Sequence, residues 1–169
     1  MQALLNTAIL AARKAGDFAQ MNFGRINEND IRTKDYNEFV TFVDDQAEIL
    51  IKDIIQSRYP DHGIIAEESK PKKSDKSDYV WIIDPLDGTT NYIHSFPVYA
   101  VSIALKVKGL LEVAVIYDPS RQELFTAIRG AGSQLDGRRI RVSKQRTLEG
   151  ALLGTGFPYR QNNDWLEVY

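Results

Sequence analysis

Hydrophobic periodicity changes once along this chain, and that change limits the fold more than any other feature. Between residues 3 and 58 apolar residues recur at steps of three and four; from 62 to 128 they come in short alternating or continuous runs. Residues 3–23 are predicted to be a helix with a face of Leu4, Ala8, Ala12, Ala15 and Ala19, stopped by Gly24. Residues 25–38 are polar and turn-like. A second helix is expected from Thr41 to Arg58, with Val43, Ala47, Leu50, Ile51, Ile54 and Ile55 as its buried stripe and Pro60 closing it. Then His62–Ala66 forms a short strand ending at Glu67-Glu68-Ser69, and Lys70–Asp78 a charged, mobile loop. Tyr79–Ile83 is continuously apolar, which predicts a strand buried on both faces and ending at Asp84-Pro85. Strands at 98–107, 111–117 and 122–128, turned by Lys108-Gly109 and Asp118-Pro119, read as an antiparallel meander. A turn over 130–137 and short strands at 138–143 and 151–155 follow. The fold class is α/β in its layered α+β form: two helices packed on a mostly antiparallel sheet.

Composition narrows the function. The chain has no cysteine, which excludes a disulfide scaffold, a thiolate zinc site, an iron–sulfur cluster and a Cys nucleophile. Two histidines are too few for a His-rich metal site, so a bound metal should be a hard one held through oxygen. The net charge of −2 argues against direct nucleic-acid binding through phosphate neutralisation. No run approaches the ~20 apolar residues of a membrane span, and no signal-peptide pattern opens the chain. A cytoplasmic protein is expected.

The chemistry concentrates in Trp81-Ile82-Ile83-Asp84-Pro85-Leu86-Asp87-Gly88-Thr89-Thr90-Asn91. Two carboxylates three residues apart leave the end of a buried strand. Pro85 fixes the backbone between them and Gly88 lets it bend. Side-by-side carboxylates are costly to bury without a cation. The Leu86 carbonyl faces the same turn, and Gly88 and Thr89 offer N–H groups where a helix should begin, which favours a phosphate. An isolated Asp-Pro turn would ordinarily be a solvated one; the strand before it and the Glu67-Glu68 pair upstream set this one apart. Strand alternation sends Glu67 and Glu68 opposite ways, so one of them can complete a three-carboxylate site, and alternation alone does not say which. Metal-binding carboxylates beside an anion-binding turn suit metal-assisted phosphate hydrolysis.

Ala66-Glu67-Glu68-Ser69 followed by the Trp81–Asn91 segment strongly resembles the inositol monophosphatase family, within the wider lithium-sensitive, Mg²⁺-dependent phosphatases. The likeness runs from the first helix to about Pro158 and is closest to bacterial members. The resemblance implies a sugar-phosphatase-type fold and a phosphoric monoester hydrolase acting on inositol monophosphate through metal-activated water. It implies Glu67, Asp84, the Leu86 carbonyl and Asp87 as metal ligands, with Asp84 bridging two ions. Asp44 would pair with Thr89 to activate water; Leu86, Asp87, Gly88 and Thr89 would line the phosphate; and Lys34, Glu68 and Thr90 are further candidates. Taken alone, Asp44 is a first-turn helix carboxylate and Lys34 a solvated loop charge. The implied cofactor is Mg²⁺, two or three ions, replaceable by Mn²⁺ and opposed by Li⁺ and Ca²⁺; the implied partners are a small phosphorylated substrate, a second copy in a homodimer, and protein partners.

Family members continue into a second half whose Trp-Asp motif completes the second metal site and orients the alcohol. Here Asn163–Glu167 has the spacing of a helix start and the sequence stops two residues later, so residues 1–169 read as the amino-terminal α+β portion of that fold, with the carboxy-terminal α/β half absent and poor turnover expected. Two rival readings are weighed. A haloacid-dehalogenase-like phosphatase is disfavoured, because its aspartates stand two apart and Asp84 and Asp87 stand three apart. A non-catalytic interaction module is the other, since some bacterial relatives are partners of the transcription machinery.

Overall fold

Small side chains on the first helix set how closely the layers approach. In a computed structural model describing residues 1–35, 38–69 and 77–154, without the side chains of 28, 34, 35 and 38, α1 (Gln2–Asn22) buries Ala8, Ala11, Ala12, Ala15 and Ala19 completely. At Gly16 even a methyl would be too much: a Cβ there would stand 2.6 Å from the Tyr117 ring. The second helix, α2 (Phe42–Arg58), buries Val43, Ala47, Ile51 and Ile55. Between the helices a two-stranded antiparallel hairpin forms from β1 (Ile31–Asp35) and β2 (Glu38–Thr41).

Both helices lie on one face of a seven-stranded sheet. Its strands are β3 (Gly63–Ala66), β4 (Tyr79–Asp87), β5 (Ala100–Val107), β6 (Leu110–Asp118), β7 (Glu123–Ile128), β8 (Gly132–Leu135) and β9 (Arg138–Arg139), side by side in that order. β3 pairs with β4 in parallel, Ile64 opposite Trp81; the remaining pairings are antiparallel. The face under the helices carries Trp81, Ile83, Val101, Ile103, Leu105, Val113 and Val115, all nearly inaccessible, and with the helix stripes these form the main core. Burial of this apolar area is the chief stabilising contribution.

A second, smaller cluster underlies the region between β4 and β5. Ala19, Val43, Leu86, Tyr92 and Tyr99 are buried together, with Phe18, Phe23 and Ile26 against them. The Tyr92 hydroxyl donates to the Ala19 carbonyl at 2.7 Å, and that of Tyr99 donates to Gln20 Oε1 at 2.7 Å. Tyr92 therefore ties α3 (Thr89–Ile93), the short helix after β4, to α1.

Several expectations are corrected. Residues 25–38 are not merely turn-like, since β1 and most of a hairpin lie there; β2 is only four residues long, too short for its alternation to show against a polar background. The apolar run at 79–83 is not buried on both faces: Trp81 and Ile83 are, whereas Val80 and Ile82 on the opposite face are half-buried and neighbouring Ile65 is 41% exposed. β4 also continues past Pro85 to Asp87, because a bulge absorbs the proline. Residues 130–137 hold strand β8, residues 140–143 and 151–154 are not strand, and residue 155 lies outside the described residues. So do residues 70–76 of the charged loop and the helix start at 163–167. No helix among the described residues is long and apolar enough to cross a membrane.

Candidate active site

The site is built where β4 loses its regular register. Asp84 faces Ser102 and Asp87 faces Ala100, so three steps on β4 match two on β5. The bulge falls at Pro85-Leu86, where a missing N–H is tolerated. It drives Leu86 into the smaller core, leaves Asp84 half-buried and turns Asp87 outward. The Leu86 N–H donates to Asp84 Oδ1 at 3.2 Å, an Asx-type turn that fixes the first carboxylate.

Gly88 then caps α3 with φ of +96°, and a Cβ there would stand 2.9 Å from the Val98 carbonyl oxygen. Only glycine fits that backbone angle and that approach without strain. The helix begins at Thr89, as expected, and is five residues long. Thr90 is exposed on it and His94 is its C-cap.

Thr89 meets a residue from a distant element. Its hydroxyl lies 2.9 Å from Asp44 Oδ1 and 3.0 Å from the Leu86 carbonyl. One hydroxyl has one proton, and a carboxylate is the stronger acceptor, so the proton goes to Asp44. Asp44 itself sits in the first turn of α2, 1% exposed. Its Oδ2 accepts from the Thr41 N–H at 2.8 Å and the Thr41 hydroxyl at 2.7 Å, and Thr41 Oγ1 accepts from the Val43 N–H. The helix-cap reading and the link to Thr89 thus coexist in one side chain, one oxygen each. Burial pushes the Asp44 carboxyl above the ordinary range, against the pull of these hydrogen bonds.

Across the turn, Glu67 follows the last residue of β3. Its N–H donates to the Ile83 carbonyl at 3.2 Å, extending the parallel ladder by one step. Its carboxyl hydrogen-bonds to that of Asp84, which is pushed up to about 7 by burial first, then by the charges of Glu67 and Asp87. That places Glu67 rather than Glu68 against Asp84, a choice alternation left open. The half-buried Glu68 instead gives its N–H to Glu48 Oε2 at 2.8 Å. Among the described residues no three acidic or imidazole side chains close into one metal-holding group: the contact is between Glu67 and Asp84, and Asp87 acts through its charge. Even so, a facing carboxyl pair beside a third acid and an exposed turn is an all-oxygen donor set suited to a hard divalent cation. Lys34 lies in β1, and its side chain is outside the described residues.

Sequence reasoning passed over Glu48 and Lys52. Both lie four-residue steps beyond Asp44 on α2, and that spacing was the available signal.

The inositol monophosphatase family model matches residues 1–169. Nus factor SuhB of Pseudomonas aeruginosa is 51% identical over 172 residues, covering 100% of this chain and 64% of that protein. Among solved structures, extragenic suppressor protein suhB of Bartonella henselae superposes with a TM-score of 0.82 at 39% identity, covering 85% of this chain and 56% of that one. The inositol monophosphatase of Anabaena gives 0.73 at 38% identity, covering 85% and 51%. An IMPase/NADP phosphatase complexed with Mg²⁺ and phosphate gives 0.61 at 29% identity, covering 64% and 42%. The chain therefore spans less than two thirds of the relatives it matches. It belongs to the inositol monophosphatase family.

Proposed function

We propose that the chain carries the metal-holding, water-orienting portion of a Mg²⁺-dependent phosphomonoesterase, with inositol monophosphate as its substrate. The observation that carries this is the Asp44–Thr89 hydrogen bond, spanning two elements and ending beside the Glu67–Asp84 carboxyl pair. Glu67, Asp84, Asp87 and the Leu86 carbonyl would hold Mg²⁺, which when bound lowers the pKa of water and offsets charge on the phosphate. The Thr89 hydroxyl donates its hydrogen bond to Asp44, so its lone pairs can accept from a water and aim that water's oxygen at phosphorus. Attack opposite the ester oxygen releases the alcohol directly, and the backbone N–H groups at Gly88 and Thr89 hold phosphate oxygens. Asp84 and Asp87 are ligands in this reading, so no aspartyl phosphate forms.

The test is turnover of inositol monophosphate with Mg²⁺, by the 169-residue chain and by the chain extended with the remaining third of a relative. The extended form should turn over, and this chain should be slower by on the order of 100-fold, the usual cost of losing one electrostatic contact to a developing charge. Asp44→Asn or Thr89→Ala in the extended form should cost about 10²- to 10⁴-fold. Rapid quench should trap no covalent phosphate; a trapped aspartyl phosphate would overturn the water-attack reading. A second reading rests on the relatives' printed name, Nus factor, which points to protein partners in the transcription machinery. An extended chain that binds such a protein and hydrolyses nothing would favour it.

A further inference from the structure

One edge of α2 carries three charged residues at four-residue steps, Asp44, Glu48 and Lys52, and each reaches a different part of the site's frame. Asp44 takes the Thr89 hydroxyl beyond β4. Glu48 Oε2 takes the Glu68 N–H beyond β3, at 2.8 Å, while its Oε1 accepts from Lys52 Nζ at 2.6 Å. Lys52 Nζ also donates to Ser69 Oγ at 2.5 Å. The Glu48 side chain is only 5% exposed and that of Lys52 22%.

Such a pair is poorly explained by stability. Removing two charges from water offsets most of their attraction, and apolar residues of the same volume often stabilise a site as well or better. What the pair supplies is direction. Glu67 stands between two anchored peptides: its own N–H is held by Ile83 on the sheet, and the following N–H is held by Glu48 on the helix. Hydrogen bonds that fix the peptides on either side of Glu67 set the backbone angles at its Cα, and with them where the Glu67 side chain emerges toward Asp84.

We infer that Glu48, itself held by Lys52, is a positioning residue that aims the Glu67 carboxyl at the metal site. This rests on the reading of Glu67 and Asp84 as metal-holding, and α2 becomes the common rail on which both halves of the site are indexed.

The test uses Mn²⁺ alone on the full 169-residue chain, counted by the spin-resonance signal of the free ion. Glu67→Gln should bind at least tenfold more weakly than wild type. Glu48→Ala should weaken Mn²⁺ about 10- to 100-fold, the usual range for a group that orients a ligand without touching the ion. Glu48→Gln, whose amide oxygen can still accept from the Glu68 N–H, should recover most of that loss. In ¹⁵N-labelled protein the Glu68 amide proton should move upfield in Glu48→Ala and stay near its wild-type position in Glu48→Gln. Should Glu48→Ala not fold, Glu48→Asp retracts the acceptor by one methylene and should show the same weakening. Wild-type affinity in folded Glu48→Ala, with Glu67→Gln impaired, overturns the positioning role and leaves the metal reading standing. A lowered urea midpoint with unchanged Mn²⁺ affinity overturns it equally, because that is what a purely structural role predicts. No Mn²⁺ binding by wild type, or equal binding by Glu67→Gln, overturns the metal reading and this inference together.

Discussion

Asp84 keeps a proton that a solvated aspartate would have lost near pH 4. Burial and two acidic neighbours push it up to about 7. The sign of its effect on stability follows. Its folded value lies above its unfolded one, so the native state binds the extra proton between roughly pH 4 and 7. The contribution is present below that window and is lost as pH rises through it. Metal-free protein should therefore lose about 1–2 kcal/mol from this group between pH 4.5 and 8, an amount reduced by solvent screening because the group is only half-buried. Asp84→Asn should flatten that part of the profile and melt higher than wild type at pH 8 without metal. Saturating Mg²⁺ should reverse the order, since the cation then replaces the proton. Melting both proteins across this range, with and without Mg²⁺, checks it; parallel curves would show that folding does not raise the Asp84 carboxyl. In the sequence, Asp84, Asp87 and Thr89 were legible because one short segment holds them. The choice of Glu67 over Glu68 came from resemblance, and the geometry that makes it is a ladder bond to Ile83 on another strand.

The turn between β4 and α3 works as one element because Gly88 sits within van der Waals reach of β5's approach. A methyl there meets the Val98 oxygen and the Tyr99 backbone, on top of a φ of +96°. Gly109 also has a positive φ, +82°, with open space around it. Gly88→Ala should cost about 2–4 kcal/mol, conformational strain plus the clash, and Gly109→Ala about 1–2 kcal/mol, strain alone. Urea midpoints of the two variants measure the difference, and equal losses would mean that the close approach to Val98 contributes nothing. Both long helices were readable from their period. The hairpin turn Asp136-Gly137 was not separated from the loop around it, although both residues have positive φ and Asp-Gly is among the strongest two-residue hairpin signals. Strands of four and two residues flank it, too short to stand out as alternation.

For the molecule as a whole, the sheet's order follows chain order from β3 to β9. The meander was legible because each antiparallel neighbour is also the next run in sequence. The half-open second face was not, since Ile82 and Ala104, paired across β4 and β5, look like core residues in a string of letters. That topology bears on the order of events in folding. Strands β5 to β9 close through short turns, which is entropically cheap and fast. The Glu67–Asp84 contact waits on the parallel pairing of β3 with β4, whose ends are separated in sequence by residues 67–78, and the Asp44–Thr89 bond spans 45 residues. The site should therefore be absent from the folding transition state. Mg²⁺ at ten times its dissociation constant would stabilise the native state by about 1.4 kcal/mol. All of it should appear as roughly tenfold slower unfolding, with the refolding rate unchanged. Stopped-flow refolding and unfolding at several Mg²⁺ concentrations measure this, and a refolding limb that speeds up with Mg²⁺ would place the carboxylates in the nucleus instead.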